Sequence, residues 1–367
     1  MSSSAAGRPA AGRHSRRDFL RRTASVGALA TVGPAALSAC GGDSGGGGGG
    51  GGGREVVRFA FAPDPVWDFM NDNGIIVKFE EEHDMRIVTS STWDEFAYFA
   101  GGHGDIVSTA TYELPLLEQK TKTETVTFGR YNLLRITPLA DPKKGYKTLA
   151  DIPKGSKIGV PSAVSSTLVW GMFARKLHDL DFRVGGGDFE LVVEDHFVMP
   201  EHVQRGELEA ALAIPEAAIS FLRKGQLEVM YDGKLPYEVY GGICSCQHQG
   251  IMGNNFTATK KWFDAHPKQA AGFLALWEEG IKQWRAKQAQ IIATYPQHFA
   301  VEDKADIKAM QGYLKEHDWF VPSVSFDDTW IKNETQLYDL MKETKFMDRN
   351  APTPAFEAVK PAATASA

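Results

Sequence analysis

The stretch REVVRFAFA, residues 54–62, decides the fold of this chain, together with the Pro63-Asp64-Pro65 that follows it. Val57, Phe59 and Phe61 recur at every second position, and this period of two predicts a strand with one buried face. The prolines end the strand, because proline cannot donate to a strand ladder. The chain therefore enters its folded part through a strand that stops abruptly in a stiff loop.

Helices and strands alternate outward from this first strand. After the first strand, the pattern of apolar residues predicts a glycine-broken helix at 69–83, a strand at 85–89 and a helix at 93–100. It then predicts a strand at 105–108 and a longer strand at 124–136. Such alternation is typical of a mostly parallel sheet flanked by helices.

A second series of the same kind begins after residue 153. It predicts strands at 157–160, 190–193, 210–214 and 227–231, with helices at 165–177, 200–205 and 215–224. From residue 259 the pattern is mainly helical, and residues 350–367, which hold few large apolar side chains, are expected to form a frayed tail. Two successive α/β series predict two lobes with a cleft between them.

The first 53 residues carry the features of an export signal. SRRDFLR at 15–21 is a twin-arginine motif, and the apolar stretch behind it ends in LSAC at 37–40, which looks like a lipobox with Cys40 as the lipidated residue. That apolar stretch is shorter than the ~20 residues that span a bilayer. We therefore expect a signal peptide at 1–39 and a glycine-rich tether at 40–53.

Charge and cysteine content exclude several classes of function. Without residues 1–39 the chain has 34 basic and 45 acidic residues, a net charge of −11, which argues against nucleic acid and anionic lipid as partners. Apart from Cys40, the only cysteines are Cys244 and Cys246, whose spacing disfavours a disulfide. The fold must then be held together by packing.

Candidate ligand-binding residues lie in the loops after the predicted strands, where open α/β sheets bind their ligands. Asp64 and Trp67 follow the first strand, although Trp67 fits core packing equally well. Ser108 and Thr109 end the third strand and offer hydroxyl groups.

The stronger candidate is GVPSAVSST, residues 159–167, where a strand runs into a helix through small and hydroxylated residues. A helix start attracts an anion, and Ser162, Ser165, Ser166 and Thr167 can donate further hydrogen bonds. One of these serines would serve as a helix cap in any case. Glu216 begins another predicted helix, where it either binds a donor group of the ligand or simply complements the helix dipole.

CSCQH, residues 244–248, supplies three potential metal ligands in Cys244, Cys246 and His248. In a strand, however, these side chains are about 6.5 Å apart, which is wide for a joint site. We expect buried thiols here, with a metal site as the alternative.

The chain resembles the sulfonate, nitrate, taurine and thiamine-pyrimidine-precursor substrate-binding proteins of ABC importers. The resemblance is one of pattern, and its order and spacing extend from residue 54 to about 345. It is carried by NGIIVKFEEEHDMRIV at 73–88, GGHGDIV at 101–107, LADIPKGSKIGVPS at 149–162, VQRGELEAALA at 203–213 and ATKKWFDAHP at 258–267.

This resemblance implies a two-lobed α/β fold of the type II periplasmic-binding-protein kind, closing on a small ligand at a hinge. Lobe 1 would comprise residues 54–136 and 238–349, and lobe 2 residues 137–237. The implied protein is a monomeric, lipid-anchored binding protein outside the cytoplasmic membrane, which needs no cofactor and delivers its ligand to an ABC permease.

The ligand class stays open between a small organic anion and a heteroaromatic molecule. One branch of the superfamily makes the thiamine pyrimidine with a cysteine-rich strand and a sacrificed histidine, but STATYE at 108–113 has no histidine at the corresponding place. An enzyme is therefore not expected. The alternatives are a binding protein for a thiamine-pyrimidine precursor, a sensor's ligand-presenting partner, and an exported metal-dependent enzyme using residues 244–248.

Overall fold

The chain forms two mixed β-sheets flanked by helices, in a computed structural model that describes residues 54–244 and 251–363. The predicted export signal, Cys40 and the glycine-rich tether lie outside the described residues. The described residues form one compact unit. No helix in the described part is long and apolar enough to cross a membrane.

The strands are β1 (Glu55–Phe61), β2 (Met85–Ser91), β3 (Ile106–Thr109), β4 (Thr125–Leu133), β5 (Thr137–Ala140), β6 (Lys157–Val160), β7 (Glu190–Val193), β8 (Ala210–Ala213), β9 (Glu228–Val229), β10 (Met252–Thr259) and β11 (Ala355–Phe356). The helices are α1 (Pro65–Asp72), α2 (Ile75–Glu82), α3 (Glu95–Ala100), α4 (Leu114–Thr121), α5 (Ser166–His178), α6 (Met199–Gln204), α7 (Ile219–Arg223), α8 (Pro236–Ile243), α9 (Lys260–Ala265), α10 (Pro267–Thr294), α11 (Lys304–Glu316) and α12 (Asp328–Glu343). Short 3-10 turns join several of them.

The first sheet has the strand order β11-β4-β10-β3-β1-β2. β1 runs parallel to both β2 and β3, whereas β10 runs antiparallel to β3 and β4. The alternation predicted for β1 is borne out, since Val57, Phe59 and Phe61 are each at most 2% exposed. Phe59 packs against Phe273 and Trp277 of α10, so this sheet is built around an aromatic core.

The second sheet has the order β7-β6-β8-β5-β9. β6 is parallel to β7 and β8, and β5 is antiparallel to β8 and β9. Its core includes Trp170 and Phe173 from α5, both fully buried. The α/β class is confirmed, with mixed rather than mostly parallel sheets.

The antiparallel strand β10 was not predicted from the sequence. It begins with Met252 and continues through Gly253, Asn254 and Asn255, residue types that disfavour strands. Pairing with β3 on one side and β4 on the other holds it in place.

The end of the chain also differs from the expectation of a frayed tail. Ala355 and Phe356 pair with β4, and the backbone N–H of Ala362 donates to the carbonyl of Ala271. Phe356 lies 5.6 Å from the ring of Trp330, so this segment has an apolar anchor that its overall composition conceals.

Both sheets turn the carboxyl ends of parallel strands toward a common cleft. The chain passes from β4 of the first sheet to β5 of the second through residues 134–136. The limits of the two lobes, 54–136 with 238–349 and 137–237, stay a prediction.

Candidate functional site

A cavity of about 250 Å³ lies where the strand ends of the two sheets meet. The loop after β1 contributes Asp64, β3 contributes Ser108, and the loop after β6 contributes Ser162. The segments that follow β7 and β8 complete the far wall. This is the place where open α/β sheets bind ligands, and the volume suits a small molecule.

Asp64 stands at the first-sheet wall of the cavity and is only 7% exposed. One of its oxygens, Oδ1, accepts hydrogen bonds from the backbone N–H groups of Val66 (2.7 Å) and Trp67 (3.2 Å), so it caps α1. Burial raises the pKa of Asp64 to about 6, against the opposing effect of these two N–H groups. A buried acid of this kind is common where a ligand binds.

Two further acids line the same wall. Burial raises the pKa of Glu95 to about 8, and the nearby carboxylates of Glu113 and Asp94 add to this rise. Burial also raises the pKa of Glu113, opposed by hydrogen bonds from Thr109, Ala110 and Ser165. Like charges in a desolvated cavity disfavour joint ionisation, so this wall holds its protons more tightly than exposed acids do.

The predicted hydroxyl groups of β3 have partners within the protein. The Ser108 hydroxyl lies 2.8 Å from the hydroxyl of Tyr131, and both residues line the cavity. Thr109 donates to Glu113 Oε2 at 2.6 Å and does not line the cavity. Thr109 therefore orients an acid of the wall, whereas Ser108 lies in the cavity lining with its hydroxyl paired to Tyr131.

The loop before α5 brings only two of its four hydroxylated residues to the cavity, Ser162 and Ser165. Ser162 donates to the carbonyl of Val164 at 2.7 Å, and Thr167 donates to the carbonyl of Ser162 at 2.7 Å. Ser166 is fully buried, and its hydroxyl has no hydrogen-bond partner among the described residues. The hydroxyls of Ser162 and Thr167 therefore shape the loop rather than face a ligand.

Ser165 has an unusual backbone conformation, with φ 62° and ψ −136°. Residues other than glycine rarely adopt this conformation, which stores strain of about 1–3 kcal/mol. The strained residue is the one directly before α5 and lines the cavity. Backbone strain of this kind concentrates at binding sites.

Arg135 is a cavity residue that the sequence did not reveal. Its Nε donates to Glu216 Oε1 at 2.6 Å, and its guanidinium lies 4.4 Å from the ring centre of Trp319. Trp319 Nε1 also donates to Glu216 Oε1, at 2.6 Å. Among the described residues, the two terminal nitrogens of Arg135 make no hydrogen bond, which leaves them for a ligand.

Glu216 is fully buried and does not itself line the cavity. Its position at the start of a 3-10 turn agrees with the predicted helix start. Its hydrogen bonds to Arg135 and Trp319 show its role more directly: it fixes the cation at the cavity wall.

Aromatic side chains meet across the mouth of the cleft. Trp93, which precedes α3, is 42% exposed and lies 6.0 Å from His196 and 6.1 Å from Phe197, both of which follow β7. All three line the cavity. Burial lowers the pKa of His196 to about 4, so this ring is neutral at pH 7.

Trp67 belongs to the core instead of the cavity wall. It is 8% exposed and packs against Phe59, Phe61 and Trp277 at 5.2 to 5.8 Å between ring centres. Of the two alternatives for Trp67, the contacts favour core packing, and the cavity lining does not include it.

The CSCQH segment lies mostly outside the described residues, which end at Cys244 and resume at residue 251. Cys244 is the C-cap of α8 and is disulfide-bonded, contrary to the expectation of a strand with free thiols. Within the described ranges, no group of three or more His, Cys, Asp or Glu side chains is arranged to hold a metal ion. Cys246 and His248 fall in the gap, so the metal alternative stays a prediction.

A larger groove of about 790 Å³ lies elsewhere, bordered by α4, by Leu168 of α5 and by Phe346 and Met347 after α12. Among the described residues that line it, none lies at the carboxyl end of a strand. The smaller cavity is the better candidate, because it gathers polar groups from both sheets.

Comparison with solved structures identifies the architecture. The periplasmic aliphatic sulphonate binding protein SsuA from Escherichia coli matches with a TM-score of 0.63 at 15% identity, over 85% of this chain and 96% of that chain. The chain has the periplasmic-binding-protein fold. The alkanesulfonate-binding protein SsuA from Xanthomonas axonopodis pv. citri, bound to MOPS, matches with a TM-score of 0.61 at 14% identity, covering 82% and 98%.

The same fold extends to a Candida albicans gene product described as having the generic periplasmic binding protein structural fold. It matches with a TM-score of 0.61 at 10% identity, over 84% of this chain and 98% of that one. No protein-family model and no curated protein sequence matches the chain. The likeness therefore establishes the fold, and the ligand has to be argued from the cavity.

Proposed function

We propose that this chain is an extracytoplasmic substrate-binding protein that captures a small molecule and delivers it to an ABC permease. The observation that carries this proposal is the cavity between the two sheets, where buried polar groups from both sides face a space of about 250 Å³. Two of the structural neighbours are described as sulfonate-binding proteins, which supports the same role.

The two lobes would close on the ligand by bending at residues 134–136. Arg135 lies in this connection, while Trp93 from one lobe and Phe197 from the other already approach within 6.1 Å. A ligand that touches both walls would favour the closed form, because it gains contacts there that the open form lacks.

Binding rather than catalysis is the role that the cavity supports. Ser108 is hydrogen-bonded to Tyr131, and Ser162 donates to a backbone carbonyl, so neither hydroxyl is paired with a histidine that could activate it. The nearest histidine of the far wall, His196, approaches the ring of Trp93.

Anchoring to the membrane is proposed for Cys40, with the glycine-rich segment as a flexible tether and with the folded part as a monomer outside the cytoplasmic membrane. Replacing Cys40→Ala in the full-length chain should move the protein from the membrane fraction to the soluble exported fraction. The comparison is with the unchanged chain, followed by immunoblotting. Membrane association that persists in the variant would contradict lipidation at this residue.

The binding function is tested by the thermal unfolding of the purified protein against sulfonates, nitrate, carboxylates, amines and pyrimidines, each with and without a chelator. A ligand present at a thousandfold its Kd adds about 4 kcal/mol to the free energy of unfolding. A rise in Tm with one chemical class and no effect of chelator supports a transport binding protein. A large loss of stability with chelator alone, and no shift with any compound, would favour the metal-dependent alternative.

A further inference from the structure

We propose that the ligand of the cavity carries a positively charged nitrogen group, an ammonium or an amidinium, that binds against Asp64, Glu95 and Glu113. The inference rests on the proposed function, because it names the substrate class of the same site. It differs from the anionic ligand that the serine-rich loop predicts.

Acidic side chains outnumber basic ones among the residues that line the cavity. Six carboxylic acids line the cavity, namely Asp64, Asp94, Glu95, Glu113, Glu194 and Asp195, against a single arginine, Arg135. That arginine is already paired with the fully buried Glu216. The Arg135–Glu216 pair is neutral as a unit, so the remaining charged groups of the lining are predominantly acidic.

Two residues of the cavity lining have an oxygen acceptor without a hydrogen-bond partner among the described residues. In Asp64 only Oδ1 accepts hydrogen bonds, and no hydrogen bond to Oδ2 is found in the described part of the chain. Asn132 lines the same cavity, is 8% exposed, and has a buried Oδ1 without a partner among the described residues. The oxygens of a buried carboxylate are normally satisfied, so the free Oδ2 of Asp64, a residue that lines the cavity, indicates a ligand with an N–H donor.

The free-energy cost of burying ionised acids also favours a cationic ligand. Ionised carboxylates in a desolvated cavity are costly even when backbone N–H groups donate to them, and the raised pKa values of Asp64 and Glu95 express that cost. A cation in the cavity would replace the lost water and favour the ionised form of both acids. An anion would add to the repulsion unless both acids were protonated.

The direction of proton exchange therefore distinguishes the two ligand classes. A cationic ligand lowers the pKa of these acids and releases protons, whereas an anionic ligand raises the pKa and takes protons up. The charged and titratable groups that face the acids are Asp68, Asp94, Tyr112, Tyr131, Arg135, Glu194, Asp195, His196, His298 and Glu334. His196 stays neutral and His298 is paired with Asp68 at 2.8 Å.

Arg135 limits the ligand in a second way. Its two terminal nitrogens make no hydrogen bond among the described residues, so a carboxylate or sulfonate on the same molecule has a partner in the lining of the same cavity. Zwitterions are therefore compatible with the site, and it is the presence of the cationic nitrogen that the proposal requires.

The test compares pairs of compounds that differ in the nitrogen group: taurine with ethanesulfonate, β-alanine with propanoate, and benzamidine with benzamide. Isothermal titration at pH 8, in two buffers with different ionisation enthalpies, gives both Kd and the number of protons released. The nitrogen-bearing member of at least one pair should bind at least tenfold more tightly and release protons. Asp64→Asn should weaken that binding by about tenfold to a hundredfold, because a charge-assisted hydrogen bond is lost.

Asp306→Asn is the matched control, because Asp306 of α11 is equally buried at 7% but is paired with Arg223 of α7, and neither residue lines the cavity. It should leave Kd unchanged. Equal or tighter binding of the uncharged or purely anionic members would overturn the inference and leave the proposed function standing. An unchanged Kd in Asp64→Asn would also overturn it, and binding of no compound of either class would contradict the proposed function as well.

Discussion

Asp64→Asn should make the ligand-free protein more stable at pH 8, although Asp64 caps a helix. Asparagine caps a helix about as well as aspartate, so the hydrogen bonds to Val66 and Trp67 can be retained. What the substitution removes is the charge of a side chain that is only 7% exposed. The change therefore separates the cost of the buried charge from the benefit of the cap.

The magnitude follows from the pKa of Asp64, which burial raises from 3.8 to about 6. At 1.36 kcal/mol for each pKa unit, this shift costs the folded protein about 3 kcal/mol once the pH exceeds both values. For a raised carboxyl pKa, stability is lost as the pH rises through the interval from about 4 to 6. The Asn variant escapes this loss, and its advantage should be about 3 kcal/mol at pH 8 and less than about 1 kcal/mol at pH 4.

The assay is thermal unfolding by calorimetry at pH 4 and pH 8, without ligand. For a folded unit of about 310 residues, 3 kcal/mol corresponds to a rise in Tm of about 5 °C. Asp306→Asn is the control of opposite sign at pH 8, because it breaks the ion pair with Arg223. Equal destabilisation of the Asp64 variant at both pH values would refute the reasoning and leave Asp64 as an ordinary cap.

Three other substitutions test separate parts of the site. Glu216→Gln leaves Arg135 without its buried counter-charge and should lower the free energy of unfolding by about 3 kcal/mol or more in urea titrations, and a change below about 1 kcal/mol would contradict the pairing. Ser165→Gly should raise stability by about 1 kcal/mol by relieving the positive φ, whereas Ser165→Ala should not, and a similar result for both would show that the backbone is unstrained. Trp93→Ala should weaken ligand binding by titration calorimetry while leaving the Tm of the ligand-free protein within about 2 °C, since the ring is 42% exposed; an unchanged Kd would exclude a role in closing the cleft.

The strands that could be predicted from the sequence are those whose apolar residues form a short run of consecutive positions. β1 and β6 follow from apolar residues in short runs between turn signals, and both were placed to within one or two residues. β10 was missed because Gly253, Asn254 and Asn255 have low strand propensity, and only pairing with β3 and β4 makes this segment extended. The alternation of Phe256 and Ala258, both fully buried, is the one signal that points to it.

The position of the cavity could be predicted from the sequence, whereas the charged groups that line it could not. The rule that ligands bind in the loops after strands selected Asp64, Ser108, Ser162 and Ser165. All four residues line the cavity. Arg135 was missed because its partner Glu216 lies 81 residues away, a distance that no local pattern bridges.

The acidic character of the wall was also hidden in the sequence. Glu95 and Glu113 read as ordinary helix-start residues there, and their raised pKa values depend on burial that only the folded chain shows. A helix start rich in hydroxyl groups suggested an anion, but Ser162 and Thr167 use their hydroxyls on backbone carbonyls.

The central claim is that a small molecule binds between the two sheets, and a crystal structure with the tightest compound of the titration panel tests it most directly. The account predicts density for that compound within hydrogen-bonding distance of Asp64 on one wall and in contact with Arg135 or Ser165 on the other. Density in the larger groove beside Leu168 and Phe346, with the cavity between the sheets unchanged, would contradict it.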